Sequence, residues 1–308
     1  MNRRSFVKYA SSVAFLLANG NVLQAGQIDW EEWQKRKVLL RFVIASDGHY
    51  GQKDTEYVKY FETVVSRINE AHATNPFAFC MVNGDIIHDD KSFYPAAKSA
   101  LDKLQLKYYV SQGNHDHVTA DEWKAIWDMP VNLDFSIKKT SFLIATTSNE
   151  TGAYLCPDMT WMTAKLEQHN QQENVIIFIH INPAKQTKFG VDCPALLELF
   201  ARHKNIKAVF NGHDHDEEGI KIKNNIPYIF DAHFGGNWGT AYRGFRVVEL
   251  MKDGSMVTYI MNPFEKINEA VVPGPPAPEG RFEESTFNYD SKNIQPELPA
   301  GKLCLSFF

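Results

Sequence analysis

The chain has 308 residues, of which 44% are hydrophobic and 22% charged, with a formal net charge of −5. That is enough apolar material for a sizeable core, and the mild acidic balance excludes the clustered basic surface of a nucleic-acid-binding protein. Its four cysteines, Cys80, Cys156, Cys193 and Cys304, are scattered without C-x-x-C spacing, which excludes a thiolate zinc site; Cys80 sits in an apolar run and reads as a core thiol.

In chain order, the first segment resembles a bacterial twin-arginine export signal. Arg3-Arg4 are followed by Ser5, Phe6, Val7 and Lys8, then by a short apolar stretch over 13–18. That stretch falls short of the roughly 20 apolar residues a membrane span takes. Leu23-Gln24-Ala25 offers a small-residue cleavage site before Gly26, so residues 1–25 are expected to be a removable signal. The competing reading is a basic amphipathic first helix of the folded domain. The resemblance implies the twin-arginine export machinery as a partner and a periplasmic or extracellular location. An oxidising compartment would leave room for one disulfide, with its pairing open.

Residues 37–46 are a near-continuous apolar run ending at Asp47, the pattern of a buried strand. Residues 54–73 carry Tyr57, Phe61, Val64, Val65 and Ile68 on one stripe, a helix. A second buried strand, 77–82, ends at Asn83-Gly84-Asp85. A helix over 92–104 leads to a third strand, 107–110, closed by Gly113-Asn114-His115-Asp116. Trp123, Trp127 and Trp161 stand at helical spacings and read as core. Further strands are expected at 135–137, 142–145, 175–180, 207–210, 226–230 and 245–250, with helices at 157–169 and 193–203. The Pro- and Gly-rich stretch 271–280 marks 263–308 as a tail. Strand, polar cluster and helix repeat along the chain, which implies a layered α/β fold with its site at the carboxyl ends of strands.

The polar clusters carry the chemistry. They are Asp47-Gly48-His49, Gly84-Asp85, Gly113-Asn114-His115-Asp116, His180, and Gly212-His213-Asp214-His215, each behind an apolar strand. Singly, each reads as a turn or a core histidine. Together, at strand ends of one sheet, they supply oxygen and imidazole ligands at converging positions.

Their order and spacing resemble the calcineurin-like metallophosphoesterase superfamily, from Lys37 to Asn262. The resemblance implies a four-layer α/β/β/α sandwich over 37–262, with two metals at one sheet edge. It implies Asp47, His49 and His215 on the first metal and Asn114, His180 and His213 on the second, with Asp85 bridging. His115 is then the acid that meets the scissile phosphate and protonates the leaving oxygen, with Asp116 orienting it. Purple acid phosphatases carry a tyrosine three residues after the bridging aspartate and lack the first-motif histidine. Here those positions are His88 and His49, which places the resemblance with the phosphodiesterase-like branch.

Mixed nitrogen and oxygen donors suit two divalent transition ions, Mn, Fe, Zn or Co, rather than Mg or Ca. Such a pair clamps a phosphate and holds a bridging hydroxide for in-line attack. Neutral Asn114 in place of a third carboxylate leaves the site positive, so it attracts an anionic phosphate despite the acidic protein. Tyr50, His88, His117, His233 and Arg243 lie beside the motifs or in late loops and are candidates for substrate contact, against a structural reading for each. The segment from Asp231 to Gly239 is glycine-rich with an aromatic, and reads as a rim loop. The expected activity is hydrolysis of a phosphorylated small molecule or a phosphodiester. The alternatives are an exported nucleotide pyrophosphatase, a phospholipid-headgroup phosphoesterase, or a non-catalytic metal-binding protein. The full ligand set together with His115 weighs against the last.

Overall fold

The computed structural model describes residues 13–16, 22–24, 35–217, 219–240 and 243–262. Arg3, Arg4, Ala25, Gly26, Cys304 and the 263–308 tail lie outside the described residues, while 13–16 and 22–24 of the expected signal are described as strands.

Long apolar strands buried on both faces need cover on both sides, and the chain supplies it with two stacked sheets. The first sheet is built on β3 (Val38–Ala45), whose central residues are all buried. Parallel to it run β4 (Cys80–Asn83) and β5 (Tyr108–Ser111). On its other side β12 (Phe245–Met251) and β13 (Met256–Met261) form an antiparallel hairpin. The backbones of β1 (Val13–Leu16) and β2 (Val22–Gln24) extend that edge beyond β13. The second sheet contains β6 (Leu133–Ile137), β7 (Thr140–Ala145), β8 (Asn174–Ile179), β9 (Ile206–Asn211), β10 (Ile220–Lys223) and β11 (Ile226–Phe230), in the order β10-β11-β9-β8-β7-β6.

Parallel neighbours require crossovers, and the helices provide them. α1 (Tyr57–Thr74) joins β3 to β4 and turns Phe61, Val64, Val65 and Ile68 inward. α2 (Tyr94–Leu101) and α3 (Ala120–Trp127) complete that layer; α3 begins with a capping box between Thr119 and Glu122. Trp123 and Trp127 are buried in it. α4 (Met159–Gln168) and α5 (Pro194–Arg202) cover the outer face of the second sheet. Between the sheets lies an aromatic layer in which Phe42 stacks on Phe79 at 5.0 Å and meets Phe142 and Phe178 edge-on at 5.5 and 6.1 Å. The expected α/β/β/α sandwich is the observed one. No described helix is long and apolar enough to cross a membrane.

A disulfide joins Cys156 to Cys193, a pairing the spacing alone leaves open. Cys80 is a buried free thiol whose pKa burial pushes up to about 12.

Candidate metal centre

The two sheets converge at their carboxyl ends. Ser46, after β3, bridges His233, after β11, and Phe234 N and Gly235 N donate to the carbonyls of Ser46 and Asp47. The turns there are tight. Asp47, His49, Asp85, Asp89, His117 and His213 all adopt positive φ, between 34° and 68°, a region non-glycine residues seldom enter and which clusters at functional sites. The glycines of the motifs have a steric reason. Gly84 has φ +83° and a Cβ there would strike His180; a Cβ at Gly113 would strike the Asp85 carboxylate.

The first ligand group is Asp47, His49 and His215, all buried. His215 Nε2 lies 3.2 Å from Asp47 Oδ1 and 3.0 Å from His49 Nε2. Burial pushes the His49 pKa well below its ordinary value, so the ring is neutral and keeps a lone pair. Asp47 stays ionised: burial would raise it, but His180 and His215 hold it well below the usual carboxylate range. Two backbone contacts from His213 N, at 3.0 and 3.1 Å, and the Ser46 hydroxyl fix its oxygens.

The second group is Asp85, His180 and His213, with Asn114 beside it in the turn after β5. His180 Nδ1 donates to Asn83 O at 2.7 Å, which aims Nε2 into the site and fixes the tautomer, as ligating histidines require. His180 Nε2, His213 Nε2 and Asn114 Oδ1 are all buried and make no hydrogen bond. Buried polar atoms are rarely left so, and a cation is a partner that imidazole nitrogens and an amide oxygen can each take. Burial pushes His213 down to about 4, reinforced by His180. Burial would lower His180 as well, but the Asp85 and Asp47 carboxylates raise it to about 10. Asp85 Oδ2 lies 3.1 Å from His180 Nε2 and 3.8 Å from His49 Nε2, within reach of both groups. The residues present therefore suit the holding of metal ions.

His115 lies at the mouth, its N–H donating to Asp85 Oδ1 at 2.8 Å. Its ring stacks on His88 at 4.8 Å, and His88 Nδ1 in turn faces His49 Nδ1 at 3.1 Å. The expected orienting role of Asp116 is corrected here. Asp116 is buried and turned to the backbone, accepting from Ile86, Ile87 and Gly113 N–H groups at 3.0, 3.3 and 2.7 Å, so it ties the Asp85 turn to the Asn114 turn. The carboxylate on His115 Nδ1 is Asp89, at 2.7 Å, a residue the motif reading passed over.

The outlying candidates divide. His88 is at the site. His117 is half-buried at the mouth, 3.7 Å from Asp89. His233 is not free to bind substrate: it is buried, both ring nitrogens face carbonyls, of Gly235 at 2.6 Å and Thr240 at 3.1 Å, and it stacks under His215. Arg243 is likewise committed, donating to Gly236 O at 2.8 Å with its guanidinium over Tyr60. Tyr50 is buried against Tyr57 and Phe61. The rim loop does reach the site, because Trp238 lies flat on His215, 4.4 Å between rings at 10°, and its carbonyl meets His215 Nδ1 at 3.4 Å.

This fold and ligand arrangement define a metallophosphoesterase. The calcineurin-like phosphoesterase family profile matches residues 40–217, and the chain belongs to that family. Comparison by sequence with curated proteins finds no match. Among solved structures, a dimetal phosphatase from Danio rerio is similar, with TM-score 0.58 and 14% identity over 74% of this chain and 98% of that one. GAP50, the anchor in the inner membrane complex of Plasmodium, superposes with TM-score 0.55 at 15% identity, covering 74% of this chain and 86% of its own. A purple acid phosphatase from yellow lupin seeds gives TM-score 0.51 at 11% identity, covering 73% and 51%. At these identities the likeness is one of fold.

Proposed function

We propose that this chain is an exported hydrolase of phosphate esters that works with two divalent transition ions. The observation that carries this reading is the buried cluster in which Asp85 reaches both His180 Nε2 and His49 Nε2, with His213 in the same group and with His213 Nε2 and the buried Asn114 Oδ1 left without a hydrogen bond. Asp47, His49 and His215 would hold one ion and Asn114, His180 and His213 the other, with Asp85 shared. When bound, such a pair supplies Lewis acidity and an activated hydroxide nucleophile.

The remaining steps fall to the chain's own groups. His115 is placed to give a proton to the departing ester oxygen, with Asp89 holding its Nδ1 proton so that Nε2 faces the substrate. Burial would lower the His115 pKa, but Asp85 and Asp89 raise it, which keeps the acid form populated. His88 packs along His115 and fixes the plane of its ring. The fold alone does not make an enzyme, since GAP50 shares it under the name of an anchor; what favours catalysis here is the full ligand set with an oriented acid beside it.

The test is elemental analysis of metal-reconstituted protein followed by a panel of phosphomonoesters and phosphodiesters. Close to two ions per chain with turnover supports the reading. One ion or none sinks the binuclear site, and two ions with no turnover on any ester leaves a metal-binding protein. Export is tested separately: replacing Arg3 and Arg4 by lysine should trap precursor in the cytoplasm, and unchanged secretion would remove the twin-arginine route.

A further inference from the structure

Large apolar side chains seldom stay exposed without a use when they gather at one place. Among the described residues the exposed large hydrophobics are Val58, Tyr154, Leu155, Phe189 and Trp238, and the three aromatic ones pack on histidines of the metal centre. Tyr154 and Phe189 stand edge-on to His213, at 4.9 and 6.2 Å and 88° and 86°. Trp238 lies flat on His215, with its ring also 4.7 Å from that of His49. One wall therefore flanks the second ligand group and the other flanks the first.

The first wall is built from two loops. One follows β7 and closes through a Ser148–Tyr154 bridge and the Leu155 N–H to Thr147 O bond; the other follows β8 and closes through an Ala184–Asp192 bridge. The Cys156–Cys193 disulfide joins the two just beyond Tyr154 and Phe189. Thr187, within the second loop, donates to Asp214 between the ligands His213 and His215 at 3.0 Å. The ring positions are thus fixed relative to the ligands before any substrate arrives.

We infer that Tyr154, Phe189 and Trp238 form a braced aromatic rim that holds a planar ring carried by the phosphate ester, so that the preferred substrates are nucleotide-class phosphoesters. This rests on the phosphoesterase reading, which supplies the phosphate anchor. A ring is favoured over an acyl chain by the shape of the surface. Trp238 has one face against His215 and remains 39% exposed, which leaves a flat platform. A chain needs a continuous aliphatic groove, and the three exposed side chains that pack on the ligand histidines are all aromatic. Stacking on such platforms accepts any base, because every base has a π face. Lys188, whose ammonium lies 5.2 Å from the Phe189 ring, adds a cation to that wall.

The test is binding to the metal-reconstituted full chain, with adenosine 5′-monophosphate and glycerol phosphate as matched probes. Adenosine 5′-monophosphate should bind on the order of tenfold more tightly. Trp238→Ala and Tyr154→Ala should each bring that ratio toward one, while Trp238→Phe keeps most of it. The double variant Cys156→Ser with Cys193→Ser should also narrow it, by unfastening the first wall. Thermal melting of each variant separates loss of the rim from loss of the fold, and Phe189→Ala offers a further exposed position. Equal affinity of the wild type for both probes overturns the rim, as does an unchanged ratio in the well-folded Trp238 and Tyr154 variants. Phosphoester turnover in the same samples tells the two readings apart. A ring preference without turnover removes the enzyme reading and leaves the rim; turnover without ring preference does the reverse.

Discussion

Asp89 Oδ1 accepts from Nδ1 of His115 at 2.7 Å, and no motif of the sequence announces the pair. Asp89 belongs to the turn that follows Asp85, and its own N–H donates to His115 O at 3.0 Å. One side chain and one backbone contact thus lock His115 to the turn that carries Asp85.

This relationship separates proton donation from metal binding. His115→Ala should retain both ions while kcat falls, with general acid catalysis contributing roughly 10²–10⁴-fold. Asp89→Asn should give a smaller fall in the same direction, and the double variant should be no worse than His115→Ala, since the two residues act as a unit. Both losses should shrink for a nitrophenyl leaving group, which needs little protonation. Losses equal for good and poor leaving groups would reassign His115 to charge stabilisation on phosphate, and additive losses would free Asp89 from it.

Asp85 reaches both ligand groups, at 3.1 Å from His180 and 3.8 Å from His49. Asp85→Ala should therefore lose metal and activity together. Ligands that bind only the folded state raise its stability, so a chelator should lower the melting temperature of the wild type and leave that of Asp85→Ala nearly unmoved. A variant that still held two ions and still melted lower with chelator would show that Asp85 is not shared.

The Cys156–Cys193 bond closes a sequence separation of 37 residues. Loops of that size gain about 2–4 kcal/mol from a disulfide, chiefly through the unfolded chain. Cys156→Ser with Cys193→Ser should lower the urea midpoint accordingly, and reductant should reproduce the change in the wild type alone. Added reductant that shifts the double variant equally would place the sensitivity elsewhere.

Much of this architecture was legible in the sequence because apolar runs alternate with polar turns. The strands around residues 37–46, 77–82 and 175–180 each ended at a ligand motif, and the structure closes β3, β4 and β8 on those same turns. The helix α3 and the strands β10 and β13 were not marked out. β10 reads Ile-Lys-Ile-Lys and lies half-exposed, too short a run to declare itself. β13 reads Met-Val-Thr-Tyr-Ile-Met, an apolar run that the reading passed over, and it pairs antiparallel with β12. The motifs named which residue types converge, but not which side chain turns inward. Asp116 and His233 look functional in one dimension, yet backbone N–H groups and carbonyls use up their polar atoms. Asp89 looks like any turn residue until a positive φ of 65° points it at His115.

Away from the site, Asp134 on β6 fastens the end of α4 to the sheet. Its carboxylate meets Lys165 Nζ at 2.7 Å and His169 Nε2 at 2.8 Å, and its side chain is 17% exposed. Burial would raise the Asp134 pKa, but the bonds from Lys165 and His169 overcome it and hold the carboxyl below its ordinary value. A carboxyl depressed in the folded state binds its proton less readily than in the unfolded chain. Its contribution is therefore present above the unfolded pKa of about 3.9 and is lost as pH falls through the lower folded value. Asp134→Asn should cost about 1 kcal/mol at neutral pH, given the partial exposure of the pair. Urea midpoints measured across pH should show a constant gap between wild type and variant from about pH 5 to pH 8, closing in more acidic solution. A gap that stays open in acid would mean that the carboxylate's charge is not what Asp134 contributes, and that the packing of β6 against α4 is.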